Sequence, residues 1–202
     1  MAFNSVAEIF DSIDETRLRL DQTLSGIDDR QQNFRPTPEA WTIAEIAEHL
    51  SIIEHQLVQL TTMMLRKAEA AGMLRAAEAG ETPEHFSIDR FVEQSKGEKY
   101  IAPENVRPRG ELPLAESLAR LRNSRASLRE LRPRLEQIDG ASLQYPHPAF
   151  GPLNLYQWLA FVGAHEDRHL RQIQKLMQST QYEKSSASDA AESLSARLDI
   201  EN

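Results

Sequence analysis

LYQWLAFVGAHEDRHLRQIQKLM, residues 155–177, decides how the rest of the chain is read. Leu155, Trp158, Leu159, Val162, Ile173 and Leu176 fall at helical spacing and form one apolar stripe. His165 and His169 sit inside that stripe, in the gap between Val162 and Ile173. They are four residues apart, so both imidazoles leave the helix on one side. Such a pair is either a hydrogen-bonded core feature, a sign that the stripe turns to the surface, or an i, i+4 pair holding a divalent metal.

Composition narrows the chemistry. The 202 residues include no cysteine, so disulfides, thiolate metal sites and cysteine nucleophiles are excluded. Any metal must be held by His, Asp or Glu. Net charge is -8, and no long basic run is present, which argues against nucleic acid or an anionic membrane as partner. The N-terminus lacks a basic-then-apolar leader, and no apolar run nears the roughly 18 residues of a membrane span. The expected location is cytoplasmic.

Working outward, residues 5–30 read as a first amphipathic helix, broken by Pro36 and Pro38. Thr42 and Glu45 form a capping box that starts a second helix, expected to run to about Ala79. His49 lies at the edge of its apolar stripe, whereas His55 points away to the surface. Gly80 to Pro113 is a connection of about 34 residues, long enough for a crossover or an active-site cover, with a short helix expected near Ile88 to Glu93. A third helix spans about Leu114 to Ile138, with Pro133 near its end. Arg125 occupies one position of its apolar stripe, either snorkelling to the surface or clamping an anionic substrate group in a polar cavity. A turn-rich loop, residues 139–153, leads to Asn154, the expected cap of the last helix. Residues 1–178 therefore read as one helical domain. Residues 179–202 read as a poorly ordered or weakly helical tail.

The fold class is all-α, a four-helix bundle with helices up, down, down, up and a long crossover between the second and third. In that arrangement His49 lies roughly 10 Å down the bundle, and His165 and His169 roughly 18 and 12 Å from the same end. Three imidazoles can meet at one level, with Arg125 at nearly the same depth. Three imidazoles with an open position are the ligand set of a catalytic rather than a closed structural site, and suit zinc, nickel, iron or copper. His147 precedes His165 by 18 residues, so a helical rise would put it roughly 25 Å away and outside the site.

His165-Glu166-Asp167-Arg168-His169 also matches the zincin pattern H-E-x-x-H. A zinc peptidase is the weaker reading, because no histidine follows His169 and little chain is left for a protease domain.

Three segments carry a family resemblance: W-T-I-A-E-I-A-E-H-L at 41–50, N-V-R-P-R-G at 105–110, and the run from His147 to Ile173. Over residues 5–178 the chain resembles the DinB-like, or YfiT-like, superfamily of metal-dependent four-helix bundles. The resemblance implies a divalent metal, zinc or nickel foremost, on His49, His165 and His169. It also implies a homodimer and, for members with an activity, a low-molecular-weight thiol as co-substrate. Two functions stay open. One is an enzyme activating a thiol or water against a small electrophile, as a thiol S-transferase or hydrolase. The other is a non-catalytic metal-binding bundle in stress response.

Overall fold

The computed structural model describes residues 3–74, 87–88, 102–179 and 182. Helix α1 spans Val6–Leu24, with the Ser5 side chain accepting from the Glu8 amide. It is shorter than the sequence suggests. Ser25 leaves the helical conformation and Gly26 takes φ +79°, so the chain turns before a separate five-residue helix α2, Asp29–Asn33. Helix α3 spans Ile43–Ala70 and starts at the expected Thr42/Glu45 capping box. It stops before the expected Ala79 because Gly72 adopts φ +65°. The amides of Gly72 and Met73 then fold back on the carbonyls of Glu69 and Ala68, closing the helix end. The expected short helix near 88–93 lies outside the described residues, apart from a buried Ile88. So does nearly all of the 179–202 tail, although Tyr182 is buried, its ring edge-on to Phe34 at 5.6 Å.

A 3-10 turn at Glu104–Val106 ends the crossover, and helix α4 follows at Leu114–Leu135, with Pro133 inside its last turn. The loop that follows holds a hairpin the sequence did not announce. Strand β1, Gln144–His147, pairs antiparallel with β2, Gly151–Asn154. Pro146 opposes Pro152 in that ladder, and proline is a poor strand signal because it cannot donate to a neighbour. Helix α5 is Leu155–Met177, capped by Asn154 with Gln157 reciprocating.

The helix directions follow from end contacts. Leu74 bridges to Ile138, the Asp139 amide donates to the Met73 carbonyl, and Arg134 pairs with Glu69. So α3 and α4 finish together and run parallel. Helix α5 starts at that end, where the Tyr156 hydroxyl accepts from the Gly140 amide and donates to the Ile138 carbonyl. Contacts between α1 and α5 advance together, Ile13 with Gly163, Arg17 with Glu166 and Arg19 with Asp167. The order is up, down, down, up. At Gly163 the two helices approach so closely that a Cβ would lie 2.9 Å from Ile13 Cγ2.

The core has two apolar clusters, one around Phe10, Ile13, Leu57, Leu128 and Leu159, the other around Leu20, Leu50, Leu121, Leu170 and Ile173. Between them each long helix contributes one charged residue: Arg17, Glu54, Arg125 and Glu166, all buried. Arg17 pairs with Glu54 and Glu166. Arg125 donates to Glu54 at 3.0 Å, to Glu166 at 2.9 Å and to the Ile13 carbonyl. Two cations thus meet two anions in a neutral interior layer.

Candidate metal centre

The capping box at Thr42 fixes where α3 begins, and His49 follows two turns later, buried. Its Nδ1 donates to the Val106 carbonyl at 2.6 Å, which leaves Nε2 as the free acceptor. Val106 is held in place through its neighbours. The adjacent Glu48 carboxylate accepts from the Arg109 and Gly110 amides at 3.2 and 2.8 Å, strapping the crossover to α3.

On α5, His169 is buried and its Nδ1 lies 2.9 Å from Gln172 Oε1, which again points Nε2 inward. His165 stands one turn earlier and is half-buried. The ring centroids are 5.2 Å (His49–His165), 4.9 Å (His49–His169) and 4.6 Å (His165–His169) apart. One ligand nitrogen from each imidazole lies within 4.8 Å of the others. All three rings are held neutral. Burial lowers His49, partly offset by its bond to Val106. Burial, then the other two imidazoles, holds His165 well below its usual value, and burial takes His169 down to about 3. Neutral imidazoles with converging lone pairs, two of them oriented by an acceptor on the opposite nitrogen, form a donor set that fits a divalent metal.

Aromatic rings wall the triad. Trp41 lies 4.9 Å from His49 and 6.4 Å from His169, and Phe161 stacks on His165 at 5.7 Å. His147 is nearer than a helical rise suggests. The hairpin folds it back, so that it packs on Phe161 at 4.8 Å, on Phe150 at 4.6 Å and on Trp158 at 5.1 Å. A single ring, Phe161, therefore separates His147 from His165. His55 is exposed, as its stripe position implies.

Burial pushes His147 down from 6.5 to about 4. Unfolding restores the ordinary value, so between those limits the unfolded chain binds the extra proton and stability falls as pH falls. Urea unfolding across that range should show this slope, and His147→Gln should lessen it by the share of one imidazole, leaving that of His49, His165 and His169. An unchanged slope would mean that His147 is solvated.

Arg125 is placed neither at the surface nor facing a ligand. Its donors are spent on Glu54, Glu166, Asp14 and the Ile13 carbonyl. Burial opposes its charge, but Glu54 and Glu166 outweigh that and raise its pKa. The reading of Arg125 as an anion clamp is corrected accordingly: its anions are the protein's own. Glu166 faces the same layer and is held by Arg17 and Arg125, so it is not the free base a zincin needs beside its metal. Burial raises its pKa, against the pull of the two arginines.

Sequence patterns did not single out Trp41, Gln172 or the Val106 carbonyl. Gln172 could have been found, because it stands at i+3 from His169 on the same face. A carbonyl reached through the fold of a crossover leaves no residue-type signal.

Comparison with known proteins agrees with this architecture. A solved structure described as TT2238, a four-helix bundle protein, superposes with a TM-score of 0.57 at 23% identity, covering 85% of this chain and 99% of the other. The uncharacterized protein YuaE of Bacillus subtilis (strain 168) is 29% identical over 163 residues, 80% of this chain and 93% of its own. The sequence profile of the DinB superfamily matches residues 12–173, most of the bundle and all three histidines, and the chain belongs to that superfamily.

Proposed function

We propose that the protein is a divalent-metal-dependent enzyme that uses His49, His165 and His169 to activate a thiol or water against a small electrophile. Thiol S-transfer or hydrolysis is the reaction type, with zinc or nickel as the metal and a low-molecular-weight thiol as co-substrate. One observation carries the reading: three neutral imidazoles converge on one point, and three protein ligands leave a position open. A bound divalent ion supplies Lewis acidity there, lowering the pKa of what it binds.

The chain's own residues do the rest. His49 and His169 are pre-aimed by Val106 and Gln172, so little ordering is needed when an ion enters. Trp41 and Phe161 present apolar faces that exclude water from two sides. The half-buried His165 marks the approachable side, which favours an enzyme over a closed, purely structural centre. A cytoplasmic homodimer is the proposed working form. No helix among the described residues is long and apolar enough to cross a membrane.

The test is elemental analysis of untagged protein, followed by thiol-consumption assays with a panel of electrophiles. About one equivalent of zinc or nickel, and thiol consumption abolished by a chelator, is the expected result. Metal without turnover would leave the non-catalytic bundle. No metal even after reconstitution would end both readings.

A further inference from the structure

Two neighbouring residues of α3 hold the end of the crossover. His49 donates from Nδ1 to the Val106 carbonyl at 2.6 Å, and Glu48 accepts from the Arg109 and Gly110 amides at 3.2 and 2.8 Å. Both side chains are buried. Burying a carboxylate costs free energy, and an apolar side chain of similar size would fill the same helix face without that cost. Packing alone therefore does not call for Glu48. What a carboxylate supplies is two acceptor oxygens, and here one meets each amide.

The path from Glu48 to the triad is short and stiff. Val106 lies three residues before Arg109. A 3-10 turn closes around Val106, with its own amide on the Pro103 carbonyl and the Arg107 amide on the Glu104 carbonyl. Pro108, one of the two residues between, has a fixed φ. A segment braced in this way moves as a unit, so pinning the amides of residues 109 and 110 to α3 also fixes where the Val106 carbonyl stands. That carbonyl decides which ring nitrogen of His49 carries the proton. With the proton on Nδ1 the lone pair is on Nε2, whereas an imidazole without such a partner is free to exchange the two.

We propose that Glu48 is a positioning residue of the metal centre: by holding the Arg109 and Gly110 amides it keeps the Val106 carbonyl in place, and with it His49 in the tautomer that can ligate. The coupling runs both ways. Whatever the seated crossover adds to metal affinity, an ion on the triad returns as tighter seating, because a ring coordinated at Nε2 is a stronger donor at Nδ1. The inference rests on the proposed function for the metal alone and uses no feature of the reaction.

The test uses the full chain, labelled for nitrogen NMR, as wild type, Glu48→Ala and Glu48→Gln. Imidazole nitrogen resonances of the metal-free proteins report the tautomer of each ring. His49 should be protonated on Nδ1 in the wild type and a mixture in Glu48→Ala, while His169, held by Gln172 instead, should stay unchanged. Zinc affinity should fall about 10-fold in Glu48→Ala, the low end of the loss for a ligand's own outer partner, since Val106 is still present. Glu48→Gln keeps the size but turns an N–H toward one of the two amides, so its affinity should lie between the other two. It also decides the matter if Glu48→Ala fails to fold. In the wild type, zinc should slow hydrogen exchange at the Arg109 and Gly110 amides. Wild-type tautomer and zinc affinity in Glu48→Gln, or amide exchange that ignores zinc in the wild type, would overturn the role of Glu48 and leave the metal reading intact. A His169 tautomer that shifts along with that of His49 would mean general loosening of the site, and would overturn it as well. No zinc uptake by the wild type would overturn the metal reading, and this inference with it.

Discussion

His169→Ala is expected to abolish stoichiometric metal binding, lowering affinity by more than about 100-fold. The scale comes from comparison with a milder change. Removing an outer partner of a ligand costs about 10- to 100-fold. Gln172→Ala should fall in that range, because it frees the His169 ring without deleting its nitrogen. Deleting the nitrogen leaves two imidazoles, His49 and His165, 5.2 Å apart at their centroids. Thermal unfolding gives a second readout. A ligand present at about 100 times its Kd stabilises the folded state by about 2.7 kcal/mol. The wild type should show that upward shift when metal is added, and His169→Ala should not. Undiminished binding by His169→Ala would show that the metal is held elsewhere, and would remove the triad from the argument.

The other large effect belongs to the buried ion layer. Glu166→Ala should destabilise the protein by about 3–5 kcal/mol, because it strands Arg17 and Arg125 beside one remaining buried carboxylate, Glu54. That is a fifth or more of the roughly 5–15 kcal/mol by which ordinary domains are stable. The same layer replaced whole should behave differently. Arg17→Met, Glu54→Leu, Arg125→Met and Glu166→Leu together remove every charge and the cost of burying it, and the net effect should be small. Urea midpoints for the single and quadruple variants separate the two cases. A Glu166→Ala midpoint close to wild type would mean that the arginines reach solvent, contrary to their burial.

The same layer shows where the sequence could and could not be read. Helical periodicity located all four long helices, and the capping signatures at Thr42 and Asn154 located the starts of α3 and α5. Those are local signals, written in residues that lie next to one another. Arg125 was legible as an anomaly in an apolar stripe, but its partners lie 111, 71 and 41 residues away, at Asp14, Glu54 and Glu166. No spacing rule reaches that far, so a charge compensated from inside looks the same as one waiting for a ligand. The misplacement of His147 had a related cause. Counting residues at a helical rise assumes a straight path, whereas a hairpin with two facing prolines turns the chain back onto Phe161. Helix ends were the least legible part, since a glycine's left-handed φ at positions 26 and 72 decides them, while Gly110 and Gly151 adopt the same φ without ending a helix.

The two capping boxes also govern which parts of the gene can change length. His49 stands seven residues after Thr42, and His165 eleven after Asn154. A codon inserted in either interval would swing an imidazole about 100° around its helix axis and out of the triad. A long connection such as the one before Val106 gains residues at little entropic cost so long as its anchored points, Met73, the buried Ile88 and Val106, are kept. Insertions and deletions can therefore accumulate between α3 and Val106 while the intervals from cap to ligand stay frozen in length.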